Sequence, residues 1–440
     1  MAPSMLTHVS PASGKVERLH ELKRGRVKPR SHPPALSRQS SHGRDRYTGV
    51  GLLLLGLVLS ALLTACRERG PEPAKGDRAV AYIHDTDSSV PWSVHVAKID
   101  RQDPTLQLHS VLARGTVLGL SPVGDQASSI PPSWGTPLAA VNGDFYVREN
   151  SAYAGDPRGM QIVEGELVSA PVGKDFSVFW IDGSGEPHAT NVLSEFKVTF
   201  PDGSAAPLGL NEERHPGRAV LYTPTLGKAT RNRGAGLELV LEKAGDGPWL
   251  PLHAGETYSA RVTALKENGP TSLTPGIMVL SLSGALAINA ALATGALVSI
   301  STETTPSLRG ARMAIGGGSV VTRSGKTVTL AKPSNLRSAE SFSIRSMFER
   351  HPRAMVGWNA THFFLAEVDG RQRGLSVGMT LEEVGAYMAK LGCETAMSLD
   401  GGGSATFWYR GRVVNSPCDG TERPVANSLV VSRKARPETP

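Results

Sequence analysis

Three consecutive glycines at the end of an apolar run constrain this chain more than any other feature. The run Ala396-Met-Ser-Leu-Asp400 passes straight into Gly401, Gly402, Gly403 and Ser404. Without Cβ atoms, backbone N–H groups can close directly on an anion or a sugar oxygen. The preceding strand is therefore predicted to deliver Asp400 to the lip of a ligand-facing turn. Upstream, Thr380-Leu-Glu-Glu383 reads as a capping box that opens a helix to about Leu391, with Leu381, Val384, Met388 and Leu391 on one face. Gly392 stops that helix, and a short strand leads on to Asp400. A Gly-rich hairpin carrying ordinary surface polars would show the same local pattern.

The rest of the globular part reads as short strands. Ala79–Ile83, Trp92–Ile99, Leu237–Leu241 and Ser319–Thr322 alternate or run apolar. Gln161–Val168 reads as a hairpin around Glu164-Gly165, and Phe176–Ile181 as a strand closed by Asp182-Gly183. With 48 Gly and 31 Pro in 440 residues, tight turns outnumber long helices. Ser343–Arg350 is a second short helical segment. The expected fold class is α+β: a sheet-rich single catalytic domain of mixed or antiparallel sheet with few helices, and a lobe inserted between residues 185 and 310.

The front of the chain is of another kind. Residues 50–63 are apolar and uncharged, too short to span a membrane comfortably, and follow a basic segment ending at Arg46. They run into Leu63-Thr-Ala-Cys66, which resembles a bacterial lipoprotein signal with Cys66 as the lipid-modified first mature residue; an uncleaved signal anchor is the alternative. This divides the chain into a leader (1–65), a polar tether (66–78) and a globular domain (79–440), and implies a cell-envelope, lipid-anchored location facing the periplasm or the exterior. The net charge of +7 belongs wholly to the leader: ten basic and three acidic residues precede Cys66, leaving 37 of each after it. Nothing basic remains to attract nucleic acid.

Cys393 and Cys418 flank the glycine turn and could form one disulfide or stay as two thiols. No Cys or His pair has zinc-ligand spacing, so no metal or other cofactor is demanded. A divalent ion among Asp400, Asp144 and Asp369 is conceivable but has no local loop to hold it.

Several ordered segments between about residues 138 and 432 resemble the phosphodiester glycosidase family. They are Leu399-Asp400-Gly401-Gly402-Gly403-Ser404-Ala405, Val413-Val414-Asn415 and Arg423-Pro424-Val425-Ala426-Asn427. Ala140-Val-Asn142-Gly143-Asp144-Phe145-Tyr146, Arg353–Gly357 and Val368-Asp369-Gly370-Arg371-Gln372 add to them. Ala405 stands where the family has a hydroxyl residue. The resemblance implies hydrolysis of a sugar-1-phosphodiester at the glycosidic C–O bond, with a carbohydrate phosphodiester as partner.

A phosphodiester leaves readily, so the demand is for cations to hold its charge and a carboxylate to support an oxocarbenium-like transition state. Asp400 is the leading carboxylate, Asp144 the second and Glu238 a third. Arg353 and Arg423 suit phosphate or ring hydroxyls. Asn142, Asn415 and Asn427 suit sugar hydroxyls, with Gly143, Gly401–Gly403 and Ser404 completing the binding set. Each has a structural rival: Asp400 as a cap on the turn, Asn142-Gly143 as a plain hairpin, the arginines as bridges to Asp369, Asp419 or Glu422, and Asp369-Gly370 as a turn with Arg371 solvated. Two further classes stay open. One is a lipid-anchored binding protein without turnover; the other is a metal-dependent phosphodiesterase breaking P–O.

Overall fold

In the computed structural model, the described residues are 79–148, 151–171, 177–232, 234–288, 292–331 and 342–434. The leader, Cys66 and the tether lie outside them. Ala74–Pro440 forms a compact unit by itself.

A seven-stranded sheet carries the central segments. Its order is Val80–Asp87, Trp92–Asp100, His362–Val368, Arg353–Trp358, Thr395–Gly401, Val320–Arg323, Lys326–Thr327. Side chains alternate across it as a two-residue period requires. From Arg353–Trp358, Ala354 and Val356 enter one buried cluster and Met355 the other; from Thr395–Gly401, Met397 and Leu399 go one way and Ala396 the other. The Leu381–Lys390 helix covers the second face, burying Leu381, Val384 and Met388 against Val94, Phe364 and Val368. Gly357 permits that approach, since a Cβ there would meet Met388 at 2.7 Å. The first face packs on a five-stranded sheet of Arg412–Val413, Phe407–Tyr409, Thr136–Asn142, Asn427–Arg433 and Leu106–Leu112.

The expected inserted lobe is a closed seven-stranded barrel between Lys197 and Ser301. All but one of its strand pairs are antiparallel; Leu208–Leu210 runs parallel to Ala219–Leu221. The barrel interior, with Leu239, Leu241, Tyr258 and Leu280, shares one core with a second five-stranded sheet that includes Gln161–Val163 and Ser177–Ile181. The architecture is thus sheet-rich and mixed, with short helices at Val123–Ser128, Phe342–Phe348 and Leu381–Lys390 among the described residues. Expectation held for the Gln161 hairpin, the Leu237 strand and the capped helix, where Thr380 and Glu383 exchange both capping bonds.

Cys393 and Cys418 are free thiols, not a bridge. Cys393 is buried beneath the helix, its thiol pushed up to about 12 by burial, whereas half-buried Cys418 lies beside Asp419.

Thr380→Ala removes the cap at the N-terminus of the Leu381–Lys390 helix. It is expected to cost about 1 kcal/mol, read as a lower urea midpoint with unchanged slope.

Candidate active site at the glycine turn

Asp400 leaves the Thr395–Gly401 strand where that strand meets the Asn142–Asp144 segment. Its backbone N–H donates to the Gly143 carbonyl at 2.9 Å, and its carbonyl accepts from Asn142 Nδ2 at 2.8 Å. Its carboxylate is half-buried, with Oδ1 accepting the Gly401 N–H at 2.8 Å. The turn-capping role weighed from sequence is therefore real for one oxygen. Burial raises the pKa of Asp400 above the usual carboxylate value, opposed by the Ser404 hydroxyl, the Gly401 N–H, Arg423 and Arg148.

Asp144 sits alongside and is almost fully enclosed. Its Oδ1 accepts the Phe145 N–H at 2.7 Å and its Oδ2 the Gly159 N–H at 2.5 Å. Burial nonetheless pushes it up to about 8, and the nearby Asp400 charge adds to the shift. Two carboxyl groups with one of them holding its proton at neutral pH is an arrangement that separates acid and base roles.

The space left by the missing Cβ atoms is filled by cations. The Arg371 guanidinium lies 3.1 Å from where a Gly402 Cβ would stand, and Gly402 has φ +65°. A Cβ on Gly403 would collide with the Arg423 guanidinium and the Asp419 carboxylate. Two glycine N–H groups are spent within the protein, Gly401 on Asp400 and Gly402 on the Pro352 carbonyl. This differs from the sequence expectation: the glycines make room for arginines. Arg423 is paired with Asp419, Nε and Nη2 reaching Oδ2 at 3.0 and 2.6 Å. Burial lowers its pKa, but that pairing outweighs burial and the net shift is upward.

Arg353 stands opposite Gly401 in the ladder and feels the Asp400 charge. Burial and the neighbouring Arg371 bring it down to about 10. Its guanidinium donates to the carbonyls of Met379 (3.0 Å), Glu349 (3.0 Å) and Ser346 rather than to a carboxylate.

The three asparagines hold the frame. Asn142 accepts from Thr406 N at 3.1 Å, while Asn427 accepts from Asp144 N at 2.7 Å and donates to Gln161 Oε1 at 2.8 Å. Asn415 accepts from Phe407 N at 2.8 Å. Each amide is committed to protein groups, which corrects the expectation that they face sugar hydroxyls. Ser404 is the reverse: its hydroxyl is buried and without a hydrogen-bond partner of good geometry, yet close enough to Asp400 and Tyr146 to draw both pKa values down.

Glu238 does not join this group. It lies within the barrel wall, fully buried, accepting from Thr230 Oγ1 (2.9 Å) and Asn232 Nδ2 (2.7 Å). Asp369 also parts from Asp400 and Asp144, and pairs with His95 at 3.2 Å. Sequence reading missed Tyr146 and Arg148 near the carboxylates, and His95 and Glu367 beside Asp369. The signal for the last was present: Glu367-Val-Asp369 places two acids on one face of an otherwise apolar strand. An open groove of about 320 Å³ at Trp180, Trp358 and Thr395 lies at the other end of the same strand pair, away from Asp400.

Comparison with known proteins finds relatives in sequence and in structure. The SPbeta prophage-derived uncharacterized protein YomE of Bacillus subtilis is 32% identical over 106 residues, 24% of this chain and 16% of that protein. A hypothetical protein from Synechocystis superposes with a TM-score of 0.63 at 18% identity, over 81% of this chain and 62% of that one. A protein named as exported, from Burkholderia pseudomallei, superposes at 0.61 and 24% identity, over 78% and 74%. These two structures share the fold. The catalytic domain of zebrafish N-acetylglucosamine-1-phosphodiester alpha-N-acetylglucosaminidase aligns at 0.42 and 14% identity over 81% and 82%, too low a score to carry weight. The chain thus spans well under two thirds of the Bacillus protein and 62% of the Synechocystis one. Residues 257–432, which hold Arg353, the Asp400 turn, Asn415, Arg423 and Asn427 but not Asp144, match the phosphodiester glycosidase family. By that match the chain carries a phosphodiester glycosidase domain.

Proposed function

We propose that the protein hydrolyses a sugar-1-phosphodiester at the glycosidic C–O bond. The observation that carries this reading is the meeting of the Asp400 carboxylate with Arg423, packed on Gly403, while Arg371 packs on the adjacent Gly402. Arg423 and Arg371 offer positive charge where a departing phosphate gathers negative charge. Asp400, with one oxygen anchored on Gly401 N–H, supports the anomeric carbon with the other as nucleophile or as base for water. The buried Ser404 hydroxyl, beside Asp400 and Tyr146, favours the charged form of Asp400. Asp144, enclosed and protonated at neutral pH, acts through Asp400 by leaving it the only charged carboxylate of the pair. Asn142 and Asn427 hold that pair by its backbone.

Location at the cell envelope belongs to the same proposal. The 50–63 segment and Cys66 suit a lipid tether, and a structural relative is named as exported. Among the described residues no helix is long and apolar enough to cross a membrane. Cell-surface or exopolysaccharide phosphodiesters are the substrate class that location would present.

Incubation with N-acetylglucosamine-1-phospho-methylmannoside should release free N-acetylglucosamine and a phosphomonoester, identified by mass spectrometry. Asp400→Asn is expected to lower kcat on the order of 10³-fold with the fold intact by circular dichroism. Saturable binding of uncleaved diester by the wild type would instead mark a binding protein. The pH profile of kcat/KM should rise as Asp400 loses its proton and fall near pH 8 as Asp144 ionises beside it. Asp144→Asn should abolish the alkaline limb; a limb that persists belongs to another group. Gly403→Ala, which displaces Arg423, should cut kcat/KM by about 100-fold and shift Tm only slightly.

A further inference from the structure

Between the two packed sheets, on the face away from the Leu381–Lys390 helix, lies a polar group that the glycosidase chemistry does not use. His95 and Glu367 are direct cross-strand partners, and Asp369 follows two residues along the same face. Their relative exposures are 3%, 0% and 1%. One ligand atom from each lies within 4.8 Å of the other two.

Three features distinguish this group from a simple buried ion pair. Both carboxylate oxygens of Glu367 are enclosed and without a hydrogen-bond partner, although the Asn415 amide is nearby and donates to Asp369 Oδ1 at 3.3 Å and the Ala405 carbonyl at 3.4 Å. The other ring nitrogen of His95 is already held, with Nδ1 2.7 Å from the Tyr82 hydroxyl. That leaves Nε2 aimed at the carboxylates, as when an outer partner fixes a ligand imidazole. His95 Nε2 and Asp369 Oδ2 are 3.2 Å apart, near the roughly 3.4 Å edge expected between two ligands each about 2.1 Å from a tetrahedral ion.

We propose that His95, Glu367 and Asp369 bind one divalent first-row transition-metal ion. Two carboxylates balance its charge, and the imidazole favours zinc over magnesium or calcium. The sequence showed only the Glu367-Val-Asp369 pair, because the third ligand, His95, comes from another strand. The ion would tie the Trp92–Asp100 and His362–Val368 strands to the 415–416 loop, since Asp369 Oδ1 also accepts the Ser416 N–H at 2.8 Å. Asn415 in turn supports the strand after the glycine turn, accepting from Phe407 N. The proposal stands apart from the glycosidase reading, and its test needs no substrate.

Full-length protein, stripped with chelator, would be titrated separately with Zn²⁺, Mn²⁺ and Mg²⁺. Uptake should saturate at one Zn²⁺ or Mn²⁺ per chain with a rise in Tm, while Mg²⁺ at equal concentration gives neither. X-ray absorption on the zinc-loaded wild type should show an imidazole with oxygen ligands and no sulfur, a readout independent of any variant. Glu367→Gln and Asp369→Asn should each weaken uptake by about 100-fold. No saturable uptake at millimolar Zn²⁺ or Mn²⁺, a first shell lacking imidazole, or uptake unchanged in a folded Glu367→Gln variant would overturn the assignment.

Discussion

The exchange between Asp400 and the Asn142–Gly143 segment is the contact on which the rest depends. Asp400 donates its backbone N–H to Gly143 and accepts the Asn142 amide on its carbonyl. These bonds join the end of a strand in the seven-stranded sheet to the end of one in the five-stranded sheet, residues 258 apart in the case of Asn142. Both sheets are held by apolar alternation, so the carboxyl pair of Asp400 and Asp144 is placed by two rigid elements. Only the side chains over the glycine turn are left to meet a ligand.

Charge in this region is arranged by depth. The deepest acid, Asp144, keeps its proton because enclosure costs its charged form more than two backbone N–H bonds return. Asp400 is half-buried and is drawn back toward ionisation by Ser404 and two arginines. Arg423 and Arg371 lie outermost, against glycines that leave them room. An uncompensated buried carboxylate costs about 3–5 kcal/mol. Burial therefore favours a proton on fully enclosed Glu367, neither of whose oxygens is paired, unless a positive partner such as the proposed ion replaces it, whereas Glu238 has two donors.

Much of this arrangement was legible in the sequence where it is local. The capped helix, the strand into Asp400 and the Gln161 hairpin follow from caps, periodicity and turn residues that act over a few positions. An inserted lobe between residues 185 and 310 was expected, and the barrel lies inside those bounds, although its closure was not foreseen, because closing a sheet depends on register between distant strands. Side-chain partners were legible least. The Asn142, Asn415 and Asn427 amides are polar residues of the kind that touch sugars, yet strand-end carbonyls and N–H groups claim them first. Arg353 read as a phosphate or ring-hydroxyl binder, with an acid as its structural rival, and its guanidinium donates to the carbonyls of Ser346, Glu349 and Met379. Glu367 and Asp369 showed as two acids on one strand face, but His95 was invisible because cross-strand pairing, not sequence spacing, brings it to them.

The central claim is that the Asp400 turn directs water to carbon rather than to phosphorus. It is tested most directly by turnover of the phosphodiester in H₂¹⁸O, followed by mass spectrometry of both products. The account predicts the heavy oxygen on the anomeric carbon of the released sugar and none in the phosphomonoester. Label in the phosphate would place bond cleavage at P–O and contradict it.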